Sequence, residues 1–233
     1  MSLSMTYTQI IKKLKSLSNT KNRQGMARFG IETSKAFGIS IPNLRAIAKE
    51  VGKDHKLAQQ LWNSGYHEAR ILACFIDDPK EVTEKQLDEW VLGFNSWDLC
   101  DQCCNNLFDK TPFVTKKINE WSAREEEFVR RAGIVLMACL AVHDKKMSDA
   151  EFEPFFKIIK KYSTDERNFV KKAVNWALRQ IGKRNLALNK QAIIVGKSIQ
   201  TINSKPAKWI AHDALRELQS EAVQERLVKK EQK

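Results

Sequence analysis

A tryptophan and a carboxylate lie one helical turn apart near the middle of the chain. In the segment NSWDLCD, Trp97 and Asp101 are four residues apart, and residues at that spacing share one face of an α-helix. Ser96 precedes them as a candidate N-cap, with Asp98 in the first turn. An indole face and a carboxylate both stabilise positive charge that develops during a reaction. The alternative is the start of an amphipathic helix without chemistry.

A second tryptophan stands on a basic stretch of predicted helix. Trp176 follows Lys172 by four residues and precedes Arg179 by three. At this spacing the indole ring shares a face with two cations and could stack on a sugar or a base. A tryptophan of the hydrophobic core is the alternative.

Internal repeats indicate which elements position these side chains. The segment FVRRAGIVL begins at Phe128, FVKKAVNWAL begins at Phe169 41 residues later, and a further 41 residues lead to Ile210. A period near 40 in helical sequence is typical of HEAT and armadillo repeats, in which neighbouring helix pairs stack to bury a common core. A small residue that lets helices approach closely recurs at Ala132, Ala173 and Ala214.

The sequence therefore predicts an all-α protein, a HEAT-like or armadillo-type α-α superhelix with a concave basic face. We expect a single helical-repeat domain over residues 1–233. Pro42 suits a first helical turn, and Ser148 with Glu151 predicts a capping box. Met1 to Leu3 precede a second methionine and are expected to be a cloning remnant. Residues 221–233 are expected to form a basic, frayed C-terminal helix.

The charge of the chain predicts a polyanionic partner. There are 40 Lys and Arg residues against 28 Asp and Glu, a net charge of +12, and residues 151–233 carry 18 basic and 9 acidic side chains. Such an excess suits nucleic acid. General solubility is the alternative explanation.

The repeat register predicts where this charge lies. Arg131, Lys172 and Asp213 hold equivalent positions, and Arg130 and Lys171 do so one residue earlier. Equivalent positions form a row in a solenoid, so we predict a basic stripe that contacts the phosphates of a nucleic-acid backbone. Ordinary solvated helix faces would produce the same pattern. Further positive charge is expected nearby from Lys183, Arg184, Lys205 and Lys208.

The cysteines and the hydropathy indicate a cytoplasmic protein. An odd, clustered set of five cysteines favours reduced core residues, with a metal or redox role for Cys100 and Cys103 as the alternative. No apolar run reaches the roughly 18 residues of a membrane span. The cysteines are Cys74, Cys100, Cys103, Cys104 and Cys139.

Four segments resemble one known family. NSWDLCD, FVRRAG, FVKKAVNWALRQ and GISIPNLRAIAK are similar, in order and spacing, to the HEAT-like-repeat DNA alkylation repair proteins, the AlkD-type alkylpurine DNA glycosylases. The similarity covers roughly residues 24–220, most of the chain. It implies release of N3- or N7-alkylated purines from double-stranded DNA, with no metal or other cofactor. It also implies that the lesion stays stacked while the protein contacts backbone and sugar.

The resemblance also implies residue roles. Trp97 would match the aromatic beside the lesion deoxyribose, and Asp101 the catalytic carboxylate. Arg131 would match an arginine that contacts the backbone, and Trp176 a second aromatic. Phe29, in MARF, stands where members with established activity carry Tyr, so the ring is kept and the hydroxyl is lost. We expect Trp97, Asp101, Arg131 and Trp176 to converge on one cleft.

Two other functions fit the same sequence. A HEAT array can bind DNA or structured nucleic acid without breaking a bond, and relatives that keep the fold can lose excision. A protein scaffold is the general default for such arrays, although the net charge of +12 disfavours most protein partners. Joint presence of an aromatic pair and a carboxylate favours the enzyme. The sequence indicates no membrane association and no obligate protein partner.

Overall fold

The computed structural model describes residues 5–232, which are helical with short connections and contain no strand. This confirms the predicted all-α class, while Met1 to Leu3, the expected cloning remnant, lie outside the described residues. One 3-10 turn, Phe108–Lys110, follows α7. The helices in this part of the chain are α1 Tyr7–Ser16, α2 Thr20–Arg28, α3 Ile41–Val51, α4 His55–Asn63, α5 His67–Ile76, α6 Glu84–Leu92, α7 Trp97–Asn106, α8 Val114–Ser122, α9 Glu127–His143, α10 Asp149–Tyr162, α11 Asn168–Gly182, α12 Leu186–Gln200, α13 Lys205–Leu218 and α14 Glu221–Glu231.

Helix ends follow local sequence signals. The carboxylate of Glu151 accepts hydrogen bonds from the backbone N–H of Ser148 at 2.8 Å and from its hydroxyl at 2.7 Å, so the predicted helix start at α10 is confirmed. Pro42 lies in the first turn of α3, as predicted. The C-terminal segment forms α14 as far as Glu231.

The chain divides into two compact units, residues 1–114 and 115–233. In the first unit, α3, α5 and α7 pack side by side, and α4 packs on α5. Stacked indole rings of Trp62 and Trp90, 4.2 Å apart, lie between α4 and α6. The prediction of a single helical-repeat domain stays a prediction.

A buried carboxylate fixes the segment that leads into α3. Glu68, in the first turn of α5, is buried and accepts hydrogen bonds from the backbone N–H groups of Phe37, Gly38 and Ile39. Gly38 has a φ of 81°, and a Cβ there would lie 2.2 Å from the carbonyl oxygen of Asn19. Only glycine fits this close approach.

A disulfide joins Cys74 of α5 to Cys103 of α7. The sequence-based expectation that all five cysteines are reduced core residues was therefore wrong for this pair. The 29-residue separation gives no hint of contact in sequence, but α5 and α7 are packed neighbours. Cys100, Cys104 and Cys139 are buried and outside any disulfide.

The second unit follows the 41-residue repeat. Helices α9, α11 and α13 pack in succession, while α10 and α12 pack against each other and against α11. The connections are short, so consecutive helices run antiparallel. Ala132, Ala173 and Ala214 each have 0% exposed surface, which confirms that these residues lie at helix contacts.

Candidate active site

Helix α7 presents the predicted tryptophan and carboxylate. Ser96 occupies the N-cap position, as expected, but its hydroxyl makes no capping hydrogen bond, and Asp98 lies in the first turn. Trp97 is half-buried, and its indole Nε1–H donates a hydrogen bond to the backbone carbonyl of Phe29 at 3.0 Å. Asp101 is also half-buried, one turn further along the helix. The ring of Trp97 is therefore held in place independently of any ligand.

A cleft of about 700 Å³ lies beside Trp97 in the first unit. Its walls come from α2, from the segment that Glu68 holds and from the first turns of α5 and α7. Phe29 lines it with 70% of its surface exposed. The structure thus brings together two of the predicted residues, Trp97 and Phe29, with Asp101 one helical turn along α7.

A hydrogen-bonded histidine–aspartate pair that the sequence did not reveal lines this cleft. His67 of α5 is 5% exposed, and its Nε2 lies 2.8 Å from Oδ2 of Asp98. Burial disfavours the charged imidazole, but the hydrogen bond and charge of Asp98 outweigh it and raise the pKa of His67. Burial likewise opposes ionisation of Asp98, but the same pair lowers the pKa of Asp98 overall. The segment HEAR, which contains His67, is the sequence feature that could have indicated this pair.

The second unit carries the other predicted aromatic residue and the lysines. Trp176 is half-buried on α11, and Lys172, one turn earlier, is exposed. Lys171 is half-buried, and its Nζ lies 4.9 Å from the ring centroid of Trp209 on α13. Lys172 is thus accessible to solvent, and Trp176 is partly so.

The predicted basic row is only partly exposed, because its two arginines are buried. Arg130 is 7% exposed and donates to the carbonyl of Ser122 at 3.1 Å and to the carboxylates of Asp165 and Glu125, each at 2.9 Å. Such a guanidinium joins helices, and the predicted contact of Arg130 with a nucleic-acid backbone stays a prediction.

Arg131 also connects two helices. It is 5% exposed and donates a hydrogen bond to the carbonyl of Phe169, which ties α9 to α11. Asp213, the third member of the row, accepts from Asn175 of α11 at 2.7 Å. Of the three residues in this row, Lys172 is the one whose side chain is exposed.

Within residues 5–232, no group of three or more His, Cys, Asp or Glu side chains is arranged to hold a metal ion. Over the same residues, no helix is both long and apolar enough to cross a membrane.

The fold and the family of this chain both have known relatives. One solved structure, of a family of proteins related to the HEAT-like repeat DNA glycosylases with affinity for branched DNA structures, is 20% identical; the match covers 96% of each chain with a TM-score of 0.81. The fold is thus the HEAT-like repeat fold of that class. Residues 10–218 match the DNA alkylation repair enzyme family. The chain belongs to this family.

A designed armadillo repeat protein in complex with a (KR)4 peptide is 12% identical over 92% of this chain and 95% of its own, but the TM-score of 0.32 is too low to indicate a shared fold. No curated protein sequence matches significantly.

Proposed function

We propose that this protein is a DNA N-glycosylase that releases cationic N3- and N7-alkylated purines. The observation that carries the proposal is the presentation of Trp97 and Asp101 on one face of α7, with the indole fixed by its hydrogen bond to Phe29 at the wall of a 700 Å³ cleft. Release of an alkylated base requires stabilisation of the charge that develops on the sugar, and side chains held on a helix are preorganised for this.

Cleavage of this N-glycosidic bond requires little from the protein beyond stabilisation of charge. The bond between C1′ and the purine nitrogen breaks, and its electron pair leaves with the base, which departs neutral because it was cationic. The sugar becomes oxocarbenium-like. The π face of Trp97 and the carboxylate of Asp101 stabilise this positive charge. Water then adds to C1′, and its proton passes to Asp101.

The other residues named by the resemblance have supporting roles in this proposal. Lys172, which is exposed, contacts the phosphates of double-stranded DNA, while Arg131, which is buried and donates to the carbonyl of Phe169, holds α9 against α11. Trp176 is a second aromatic contact to the DNA, and Lys171, whose Nζ lies 4.9 Å from the ring centroid of Trp209, adds positive charge in the same unit. Phe29 covers the apolar edge of the cleft with its exposed ring.

The test is release of free base from DNA that carries 7-methylguanine or 3-methyladenine. Asp101→Asn keeps the shape of the side chain and removes its charge, so single-turnover excision should fall about 10²- to 10³-fold, the scale for one preorganised electrostatic group. DNA affinity should not weaken, because a negative charge near a polyanion has been removed. Glu89→Gln, which removes an exposed carboxylate of α6, is the control and should leave excision unchanged.

A non-catalytic DNA-binding protein is the second candidate. Two observations favour it: the matched structure comes from a family with affinity for branched DNA, and Phe29 lacks a hydroxyl. The wild-type protein would then bind duplex or branched DNA without releasing base from any alkylpurine. In that outcome Phe29→Tyr is the first substitution to make, because it restores the hydroxyl without altering the ring.

A further inference from the structure

Helix α13 carries a narrow stripe of basic and aromatic side chains toward solvent. At 100° per residue, five exposed positions fall within an arc of about 100°. The apolar residues of α13 occupy the opposite face and are buried. The stripe runs over roughly 16 Å of helix. The α13 stripe consists of Lys205, Lys208, Trp209, His212 and Arg216.

The acidic residues of α13 point sideways, toward α11. Oδ2 of Asp213 lies 2.7 Å from Nδ2 of Asn175 and 3.0 Å from the guanidinium of Arg179. The carboxylate of Glu217 accepts from Lys183 at 2.6 Å. The hydrogen bond from Asn175, together with the charge of Arg179, lowers the pKa of Asp213. Oδ1 of Asp213 also pairs with Arg216 of the α13 stripe at 2.5 Å. These carboxylates are therefore used in helix packing and in one ion pair with the stripe, which itself contains no carboxylate.

Trp209 is the unusual member of the α13 stripe. The residue is 41% exposed, and Nζ of Lys171 lies 4.9 Å from its ring centroid, which restrains the indole through a cation–π contact. An exposed indole flanked by cations matches the arrangement that proteins use to stack a base while lysines contact the neighbouring phosphates. Within a duplex both faces of each base are covered by its neighbours, except at the two terminal base pairs. A base that stacks on Trp209 away from a duplex end must therefore be unpaired.

We propose that the α13 stripe binds an unpaired DNA strand, with a base stacked on Trp209 and Lys171, Lys205 and Lys208 contacting its phosphates. The binding site lies wholly within the second unit. It does not depend on excision, so a protein that fails to release alkylated bases could still bind DNA in this way.

The test compares a blunt duplex with the same duplex extended by a single-stranded tail. A tail of about five nucleotides matches the stripe, because stacked nucleotides repeat about every 3.4 Å. Binding is measured by fluorescence anisotropy. Trp209→Ala should weaken binding of the tailed DNA by about five-fold to 150-fold, the range for loss of one base–aromatic stack, and should leave the blunt duplex unaffected. Trp209→Phe should retain most of the preference for the tail.

Two control variants separate this site from general effects. Ile194→Ala removes an exposed apolar side chain of α12, and Lys197→Ala removes an exposed charge from the same helix. Neither should change the tail preference, and thermal melting should show all variants folded. An equal loss for blunt and tailed DNA on Trp209→Ala would overturn the proposal. So would displacement of the tailed DNA by polyglutamate at comparable charge concentration, which would indicate an acidic protein partner instead.

Discussion

Replacing His67 by Phe should destabilise the first unit markedly. The imidazole Nε2 lies 2.8 Å from the carboxylate of Asp98. At an effective dielectric constant of 20, two unit charges at this distance attract by about 6 kcal/mol. Desolvation of both groups offsets much of that attraction. Removal of one partner leaves Asp98 partly buried and unpaired, so the free energy of unfolding should fall by about 3 kcal/mol.

The loss of unfolding free energy on His67→Phe should depend on pH. Because the pKa of His67 is raised in the folded state, its contribution is complete below the unfolded value of about 6.5 and disappears as the pH rises through the folded pKa. Because the pKa of Asp98 is lowered, its contribution is present above the unfolded value of about 3.9 and is lost as the pH falls. Glu68 favours and Arg70 opposes the charge on His67. The difference between wild type and variant should therefore be largest between about pH 4 and 6.5.

Urea denaturation of wild type and His67→Phe at pH 5.5 and pH 9 measures this difference. His212→Phe changes an exposed histidine in the same way and should cost less than about 0.5 kcal/mol. A destabilisation that is the same at both pH values would refute the reasoning, because it would mean that His67 is neutral and only donates a hydrogen bond. A larger loss at pH 9 would refute it too.

Three further changes test the fold and the interface. Gly38→Ala places a Cβ against the carbonyl of Asn19 at a φ of 81°, so urea denaturation should show a loss of at least about 2 kcal/mol; an unchanged midpoint would contradict the tight approach. Ala173→Leu overpacks a fully buried helix contact and should cost about 1–3 kcal/mol in the same assay. Lys172→Ala should reduce the slope of log affinity for duplex DNA against log salt by about 0.9, since one phosphate contact is lost; an unchanged slope would exclude Lys172 from the interface.

The repeat architecture was predictable because it leaves a periodic trace in sequence. A helix contact repeated every 41 residues requires a small residue at the same place each time, and Ala132, Ala173 and Ala214 show it. Helix starts were predictable where a cap is local, as at Ser148 and Glu151. The disulfide was not predictable, because no local sequence pattern indicates which two helices are packed neighbours.

The candidate site was only partly predictable for a related reason. The four-residue spacing places Trp97 and Asp101 on one face, but nothing in it indicates that the indole N–H reaches Phe29, 68 residues away. The repeat register places Arg131 and Lys172 at equivalent positions, but it does not indicate that Arg131 is buried while Lys172 is exposed. A long side chain at one register position can bend toward a carbonyl of the next helix or extend into water, and local neighbours decide which.

The hydrogen bond between Trp97 and Phe29 affects which substitutions residue 29 can accept during evolution. The indole binds the main-chain carbonyl at residue 29, and every amino acid supplies that group. The side chain at 29 is mostly exposed and takes no part in holding the indole. Tyrosine, phenylalanine or a smaller residue can therefore replace one another there while Trp97 stays fixed. The side chain at the edge of the cleft, and with it the substrate preference, can therefore change during evolution while Trp97 keeps its position.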